Sequence, residues 1–356
     1  MLTLFKERNG RRGVVLLGST GRQGKLGSLA PASRSPSLAF PMLLSRRSLL
    51  PWGLGISLAV AVAWALRTGN IPPADLTFAN GTEGKSLDPA SVTGQPEGRL
   101  LNALSEGLVR WNPETLAPMP GAADGWTISD DGLVYEFSIR PTAQWSDGKS
   151  VTAEDFHYSL RRFLDPRVAR DYVRLGWLIK NARRYTLGAS AIAPGDPVEV
   201  ELNLPEDAVN TLRGEVLKGR LAEIIKPKGT AAASGDDHRQ DFEQWRFVVD
   251  VDGDLQTFQS IKDAAADSTP PDGVQWCRQV LLDFRQVGVE VVDPSTLRIE
   301  LENPTPYFLS IVGFYPLFPV QQACVEKYGS PVWTYPENIV CNGAFVPQFR
   351  RIRDRT

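Results

Sequence analysis

The chain is poor in the residues that most often carry chemistry at protein sites. Its 356 residues include two histidines, three cysteines and three methionines. His157 and His238 have neither a cysteine nor a second histidine beside them, so the sequence offers no zinc-ligand spacing. No serine occupies a G-x-S-x-G turn, and no cysteine has a plausible base near it in sequence. We therefore expect no catalytic residue, no metal site and no cofactor.

Acidic residues outnumber basic residues outside the N-terminal part. Residues 1–70 hold ten Lys or Arg and one acid, Glu7, which leaves 29 basic and 40 acidic residues from Ile71 onward. The resulting net charge of about −11 disfavours nucleic acid and anionic lipid as partners, because both are polyanions. We expect no nucleic-acid partner.

One long apolar run lies within the basic N-terminal part. Residues 49–66 are apolar apart from Ser57, and Arg46 and Arg47 precede them. This length suits a signal-peptide core or a short membrane span, and preceding basic residues place the remainder outside the cytoplasm. The run is either a leader within 42–70 or an uncleaved inner-membrane anchor through residues 43–66. Either way, we expect a periplasmic or cell-surface protein.

The segment before this run does not look like part of a folded domain. Residues 19–40 are rich in Gly, Ser, Pro and Arg, and a signal peptide does not normally begin forty residues into a chain. We expect Met42 to be the true start. Residues 1–41 are then a disordered or mis-called extension.

The most regular pattern is a strand, a turn and a capped helix within residues 133–166. Residues 133–140 alternate apolar and polar side chains, which is typical of a half-buried strand. Ser-Asp-Gly at 146–148 is a turn sequence. Thr152 supplies a hydroxyl cap, acids follow in the first turn, and apolar residues recur at helical spacing, which predicts a helix over 152–164.

This segment and four further blocks resemble one protein family. The blocks are F-A-N-G-T-E-G-K-S-L-D-P at 78–89, L-S-E-G-L-V at 104–109, V-D-P-S-T-L with P-T-P-Y-F within 292–308, and N-I-V-C-N-G-A-F at 338–345. Their identity and order are similar to those of the bacterial extracellular solute-binding proteins of family 5. That family includes the oligopeptide- and dipeptide-binding proteins of ABC transporters, and the resemblance covers its N-terminal lobe only.

The resemblance implies the fold. It indicates an incomplete α/β lobe of the periplasmic-binding-protein-like class II type, with a mixed sheet and an N-terminal hydrophobic helix. The lobe would occupy 71–341, and 342–356 would be the truncated start of a second lobe. We predict one sheet and two flanking helices, with strands at 76–83, 133–140, 198–204 and 296–301 and helices at 99–109 and 152–164.

The segment from about 220 to 286 is longer than the corresponding segment of family members. We therefore expect an insertion, which either binds a partner or has no role. Within it, residues 275–284 fit a helix that buries Cys277. Asp250, Asp252 and Asp254 fit a solvated hairpin turn better than a calcium loop, because Ile261 stands where a bidentate Glu belongs.

The resemblance also implies where a ligand would bind. Family members hold a peptide between two lobes, and strands of each lobe pair with the ligand backbone. The matching positions are Thr82, Glu83, Gly84 and Lys85, with Glu83 facing a ligand amine and Gly84 permitting close approach. Asn342 and Gly343 match the crossing between the lobes. The family's acidic anchor for the peptide amine lies in the second lobe and has no counterpart among the matched blocks.

Cys324 and Cys341 flank the segment before that crossing. Disulfides persist in exported proteins, so we expect these two to pair, with three buried thiols as the alternative.

The function that follows is the extracytoplasmic substrate-binding component of an ABC-type peptide importer. Its partners would be a peptide or similar small solute and the permease subunits. Two alternatives remain open at this point, a membrane-anchored sensor or interaction protein built on the same lobe, and an exported hydrolase.

Overall fold

The computed structural model describes residues 2–5, 14–17, 58, 76–80, 84–202, 216–227, 244–261 and 270–350. The chain divides into residues 19–75 and the remainder, and of the first unit only Leu58 is described. Within these described ranges, no helix has the length and apolar character needed to cross a membrane. The predicted leader or anchor at 43–66 lies outside them apart from Leu58, as do the candidate ligand-binding residues Thr82 and Glu83.

In the unit formed by residues 1–18 and 76–356, the described residues form a mixed α/β structure. Its helices are α1 Gln95–Leu104, α2 Ala153–Leu164, α3 Ala182–Leu187, α4 Phe308–Val312 and α5 Gln322–Tyr328. Short 3-10 turns occupy Asp171–Leu178, Gly188–Ser190, Phe284–Gln286, Tyr315–Leu317 and Val332–Thr334. The strands are β1 Leu2–Phe5, β2 Val14–Leu17, β3 Leu76–Ala79, β4 Val109–Trp111, β5 Pro118–Pro120, β6 Ala123–Ile128, β7 Val134–Ile139, β8 Pro197–Leu202, β9 Val216–Ile225, β10 Arg246–Val251, β11 Asp254–Ser260, β12 Val274–Leu282, β13 Val289–Asp293, β14 Thr296–Glu300 and β15 Val346–Arg350.

The core is built on an antiparallel sheet of order β13-β14-β7-β6. In β7, Tyr135, Phe137 and Ile139 are buried and the residues between them are more exposed, as the alternation predicted. Helix α2 packs on this sheet through its buried apolar face. Its first turn is closed by a capping box, in which the Thr152 backbone N–H donates to Asp155 Oδ2 over 2.9 Å. The predicted strand at 133–140, strand at 296–301 and helix at 152–164 are confirmed.

Strands β8 to β12 form a closed five-stranded barrel. It includes strands on both sides of position 220, where the predicted insertion begins. Its pairs are antiparallel except β11 with β12. Its centre is filled by side chains including Phe247, Phe258 and Cys277. The predicted helix over 275–284 is therefore wrong, since Cys277 lies in β12. Apolar spacing over so short a run fits either element, and pairing with β8 decides for the strand.

The hairpin between β10 and β11 confirms the turn expected at 250–254. Val251 pairs with Asp254, and Asp252 and Gly253 both have positive φ, as a two-residue hairpin loop requires.

The remaining large sheet has the order β15-β1-β2-β3. Strands β1 and β2 lie within 1–41, so the prediction of disorder is wrong for these eight residues, whose backbones pair with β15 and β3. Strand β3 ends at Ala79, short of the predicted end at 83, and the next residue, Asn80, donates its side-chain amide to the Pro96 carbonyl over 3.0 Å.

The prediction of a single sheet is also wrong. The four predicted strands fall into three separate sheets, because a strand's partner is set by distant contacts and not by its own pattern. Helix α1 begins four residues before the predicted start at 99 and ends at Leu104. Pro96 explains the earlier start, since proline is favoured in a first helical turn.

Candidate functional site

Helix α1 links part of the predicted ligand-binding segment to the predicted lobe crossing. Gly84 and Lys85 pack against its first turn, and Asn342 and Gly343 bond its C-terminal end. A helix of ten residues is about 15 Å long, so one rigid element sets the spacing between the two segments.

At the first turn of α1, Glu97 is a buried carboxylate, 6 % exposed. Its Oε1 accepts the Lys85 backbone N–H over 2.8 Å. A Cβ on Gly84 would lie 3.0 Å from Glu97 Cγ, and one on Gly94 would lie 2.1 Å from Glu97 Oε2. Both glycines thus make room for this carboxylate. The Lys85 N–H is already used inside the protein and is not free for a ligand.

The S-L-D-P turn that follows is anchored by a buried ion pair. Asp88 accepts from Arg162 of α2 through two bonds, Nη1 to Oδ1 over 2.7 Å and Nη2 to Oδ2 over 2.5 Å. Oδ1 also accepts the Ala90 N–H over 3.1 Å, which closes the turn. The Arg162 guanidinium lies over the Trp333 ring, 5.6 Å from its centroid. The segment entering α1 is therefore held to the main core helix.

At the other end of α1, Asn342 and Glu106 form a two-way bridge. Glu106 N–H donates to Asn342 Oδ1 over 3.0 Å, and Asn342 Nδ2 donates to the Glu106 carbonyl over 2.8 Å. Gly343 N–H donates to the Leu104 carbonyl over 2.8 Å. A Cβ on Gly343 would lie 2.5 Å from the Leu104 carbonyl carbon, so only glycine fits there. The two predicted crossing residues are brought together on the end of α1.

The segment Thr93–Gln95 enters α1, whose first residue is Gln95, and the side chains of Thr93 and Gln95 are exposed. Gly94 has φ −90° and ψ 148°, a strand-like conformation. Two tyrosine hydroxyls fix its carbonyls: Tyr172 donates to Thr93 O over 3.3 Å, and Tyr315 donates to Gly94 O over 3.5 Å. In the described part of the chain, the backbone N–H groups of Thr93 and Gln95 have no hydrogen-bond acceptor. We call this segment the edge segment.

The sequence reasoning did not single out the edge segment. Its signal was Pro96, since a proline is favoured in the first turn of a helix and so marks the point where the preceding backbone leaves helical geometry. Burial raises the pKa of Tyr315, and the neighbouring Tyr172 raises it further. The hydroxyl that holds the Gly94 carbonyl therefore stays neutral and remains a donor.

Two open hollows lie elsewhere on the surface. One, of about 580 Å³, is lined by Trp145, Asp155, Gln321 and lysines. The other, of about 550 Å³, borders β13 and contains His157. Burial lowers the pKa of His157, as does the charge of Arg161, so its imidazole is neutral. Across the described ranges, no three His, Cys, Asp or Glu side chains converge as metal ligands would.

The three cysteines are buried free thiols. The Cys324–Cys341 disulfide expected from the sequence is therefore not formed in the structure, although both side chains belong to one core cluster. The Cys324 thiol instead donates to the Asn338 carbonyl over 3.2 Å. Burial raises the pKa of Cys341 to about 12, and the neighbouring Cys324 adds to the effect. Thiols in this state are weak nucleophiles.

Comparison with known proteins gives a consistent result. Residues 117–349 match the family described as bacterial extracellular solute-binding proteins, family 5 Middle. The periplasmic oligopeptide-binding protein of Escherichia coli is 28% identical over 300 residues, which cover 81% of this chain and 38% of that protein. The periplasmic oligopeptide-binding protein of Haemophilus influenzae is 33% identical over 272 residues, covering 76% of this chain and 33% of that protein.

A solved structure, the murein tripeptide binding protein of Escherichia coli, has 26% identity and a TM-score of 0.45, covering 76% of this chain and 34% of that one. The chain thus spans between about a third and two fifths of the length of these relatives. The family match covers more than half of the chain, and with it the periplasmic-binding-protein-like fold class expected from the sequence is confirmed. The chain belongs to the bacterial extracellular solute-binding proteins of family 5.

Proposed function

We propose that the chain is the substrate-binding component of an ABC-type importer and that it binds peptides outside the cytoplasm. The observation that carries this proposal is the family match over 117–349, supported by relatives named as periplasmic peptide-binding proteins. The work is recognition and delivery to permease subunits, and no bond of the ligand is made or broken.

The ligand backbone pairs with the edge segment. Thr93 and Gln95 stand on either side of the extended N-cap residue Gly94, and their N–H groups lack acceptors in the described part of the chain. The Gln95 N–H is one of the first-turn donors that a helix leaves unbonded. An extended peptide laid beside them would accept both, as in strand addition to a sheet edge. Gly94 adds no side chain between the two backbones. This mode reads the extended ligand backbone and leaves ligand side chains loosely specified.

The residues predicted from the family resemblance take a supporting position in this proposal. Gly84 and Lys85 pack beneath the edge segment through Glu97, so they help to hold it in place. Glu83 remains the predicted carboxylate for a ligand amine, and Thr82 remains its predicted neighbour. Asn342 and Gly343 would lead into the second lobe that completes the cleft.

The hydrolase alternative has less support. A histidine base would need a bonded nucleophile, and within the described ranges no Ser, Thr or Cys bonds His157. Its ring instead packs edge-on against Phe284, with centroids 5.2 Å apart. The sensor alternative uses the same binding lobe and differs only in its partner. Stimulation of a permease's ATPase activity by the loaded chain would distinguish transport from sensing.

Calorimetric titration of the full chain with a tripeptide tests the proposed binding mode. The matched control ligand has the same sequence but carries N-methyl groups on its amides, which crowd the pairing edge and keep the ligand carbonyls from the Thr93 and Gln95 N–H groups. We expect the methylated peptide to bind about 2- to 13-fold more weakly for each backbone bond lost, since one bond contributes about 0.5–1.5 kcal/mol. Equal affinity for both ligands would contradict backbone pairing, and absence of peptide binding would contradict the function itself.

A variant of the protein provides the complementary test. Gly94→Ala places a Cβ where Glu97 Oε2 now lies and disturbs the edge segment. Gly125→Ala is the control, because a Cβ at Gly125 meets nothing within 4 Å. We expect Gly94→Ala to weaken peptide binding and Gly125→Ala to leave it unchanged.

A further inference from the structure

Trp111 is a large aromatic side chain left partly in solvent. It ends β4 and is 43% exposed. Its only polar atom is satisfied within the protein, because Nε1–H donates to the Ser310 carbonyl over 3.2 Å. What the side chain offers to solvent is therefore apolar ring surface. Its ring lies parallel to that of half-buried Phe314, with centroids 6.2 Å apart and an interplanar angle of 8°. We call these two rings the aromatic platform.

The position of the indole depends on a glycine. A Cβ on Gly313 would lie 2.9 Å from Trp111 Nε1 and 3.3 Å from Val109 Cγ2. Any larger residue there would push the ring away from the end of α4. The hydrogen bond to Ser310 and the space above Gly313 therefore hold the ring in one orientation. A preformed orientation lowers the entropy cost of binding a flat group.

The aromatic platform is continuous with the edge segment. Phe314 contacts Tyr172 edge to face, with centroids 5.2 Å apart, and the Tyr172 hydroxyl bonds the Thr93 carbonyl. An extended peptide advances about 3.3 Å per residue and sends alternate side chains to one face. The Thr93 carbonyl, Tyr172, Phe314 and Trp111 thus form one unbroken series of contacts beside the path of a ligand paired with the edge segment.

We propose that the aromatic platform selects peptides that carry an aromatic side chain at one position. This inference rests on the proposed function and adds a substrate class to it. Aromatic rings stack offset or edge to face at centroid distances of about 4.5–7 Å, and the interaction exceeds what apolar burial alone provides. Stacking on the Trp111 face would also remove its exposed apolar surface from water.

Three tripeptides that differ only at the central residue separate stacking from simple burial. The residues are phenylalanine, cyclohexylalanine and alanine, and the second has the bulk of the first without its π-system. We expect the full chain to bind the phenylalanine peptide about 2- to 13-fold more tightly than the cyclohexylalanine peptide, which corresponds to about 0.5–1.5 kcal/mol of stacking. Equal affinity for these two would overturn the inference.

Variants assign the preference to the platform. Trp111→Leu should abolish the preference for phenylalanine while leaving affinity for the alanine peptide within about twofold, and Gly313→Ala should reduce the preference with every aromatic ring retained. Tyr335→Leu, which changes another exposed aromatic residue, should have no effect. A preference that survives Trp111→Leu overturns the inference but leaves the proposed function standing.

If the chain binds neither the alanine peptide nor the phenylalanine peptide, both the proposed function and the proposed aromatic selection are overturned. A second copy of the chain is the other candidate to cover Trp111. Self-association that Trp111→Leu abolishes, together with equal affinity for phenylalanine and cyclohexylalanine peptides, would assign the platform to a dimer interface and overturn ligand selection.

Discussion

Replacing Arg162 by methionine tests how the S-L-D-P turn is held to the core. The Asp88 and Arg162 side chains are 4% and 6% exposed and share two hydrogen bonds of 2.5 and 2.7 Å. Methionine keeps the helical propensity and much of the bulk but leaves the Asp88 carboxylate buried without its counter-charge. Breaking a buried pair in this way costs about 3–5 kcal/mol. That is a large part of the about 5–15 kcal/mol by which most domains are stable.

Urea denaturation followed by circular dichroism measures the change in the free energy of unfolding. Arg298→Met is the matched control, because Arg298 bonds Glu136 and Glu290 with its side chain 39% exposed. Solvent screens such exposed pairs, so this control should lose much less stability than Arg162→Met.

Two further variants keep the test informative if the Arg162→Met chain does not fold. Arg162→Lys keeps the charge without the two-pronged geometry and should lose less stability than Arg162→Met. Combining Asp88→Asn with Arg162→Met should recover part of the loss, because a buried amide costs less than a buried unpaired carboxylate. If Arg162→Met costs no more than Arg298→Met, the reasoning about the buried pair is refuted.

Three other expectations follow from the geometry. Gly343→Ala should destabilise the protein by about 1–3 kcal/mol in the same urea assay, because its Cβ overlaps the backbone at the end of α1; a loss below about 0.5 kcal/mol would contradict this. Burial alone would raise the pKa of Asp283, but hydrogen bonds from Arg285 outweigh it and lower the pKa to about 2. This carboxylate should therefore stabilise the protein fully above about pH 4 and lose its contribution as the pH falls toward about 2, so Asp283→Asn should flatten the measured acid dependence in that range, and an unchanged profile would refute the assignment. Alkylation after denaturation without reductant should add three groups by mass if Cys324 and Cys341 are free as in the structure, whereas a single adduct would establish the disulfide expected from the sequence.

The parts of the fold that the sequence predicted well depend on neighbouring residues. Helix α2 has its cap, its first-turn acids and its apolar face within twelve residues, and β7 shows its alternation over six. Such patterns act through local backbone bonds and one buried face, so they can be read without knowing the partner. The start of α1 was placed too late although Pro96 marks a first helical turn, whereas the end of β3 coincides with a contact between Asn80 and Pro96, sixteen residues apart.

The barrel shows why other parts escaped prediction. The apolar spacing around Cys277 fits a helix as well as a strand over a few residues. Only the pairing of β12 with β8, whose residues lie more than seventy positions earlier, made it a strand. The same pairing took β8 out of the predicted single sheet.

The candidate site divides in the same way. Sequence alone determined the family blocks, including the N-I-V-C-N-G-A-F block that contains Asn342 and Gly343, and the acidic character of the chain after Ile71. Tertiary structure alone decided that the Lys85 N–H is occupied by Glu97, that Thr93–Gln95 presents free backbone donors, and that Trp111 lies parallel to Phe314. The physical reason is that these properties are distances between atoms whose residues are far apart in the chain. Trp111 and its Ser310 acceptor are 199 positions apart, and no local pattern encodes such a contact.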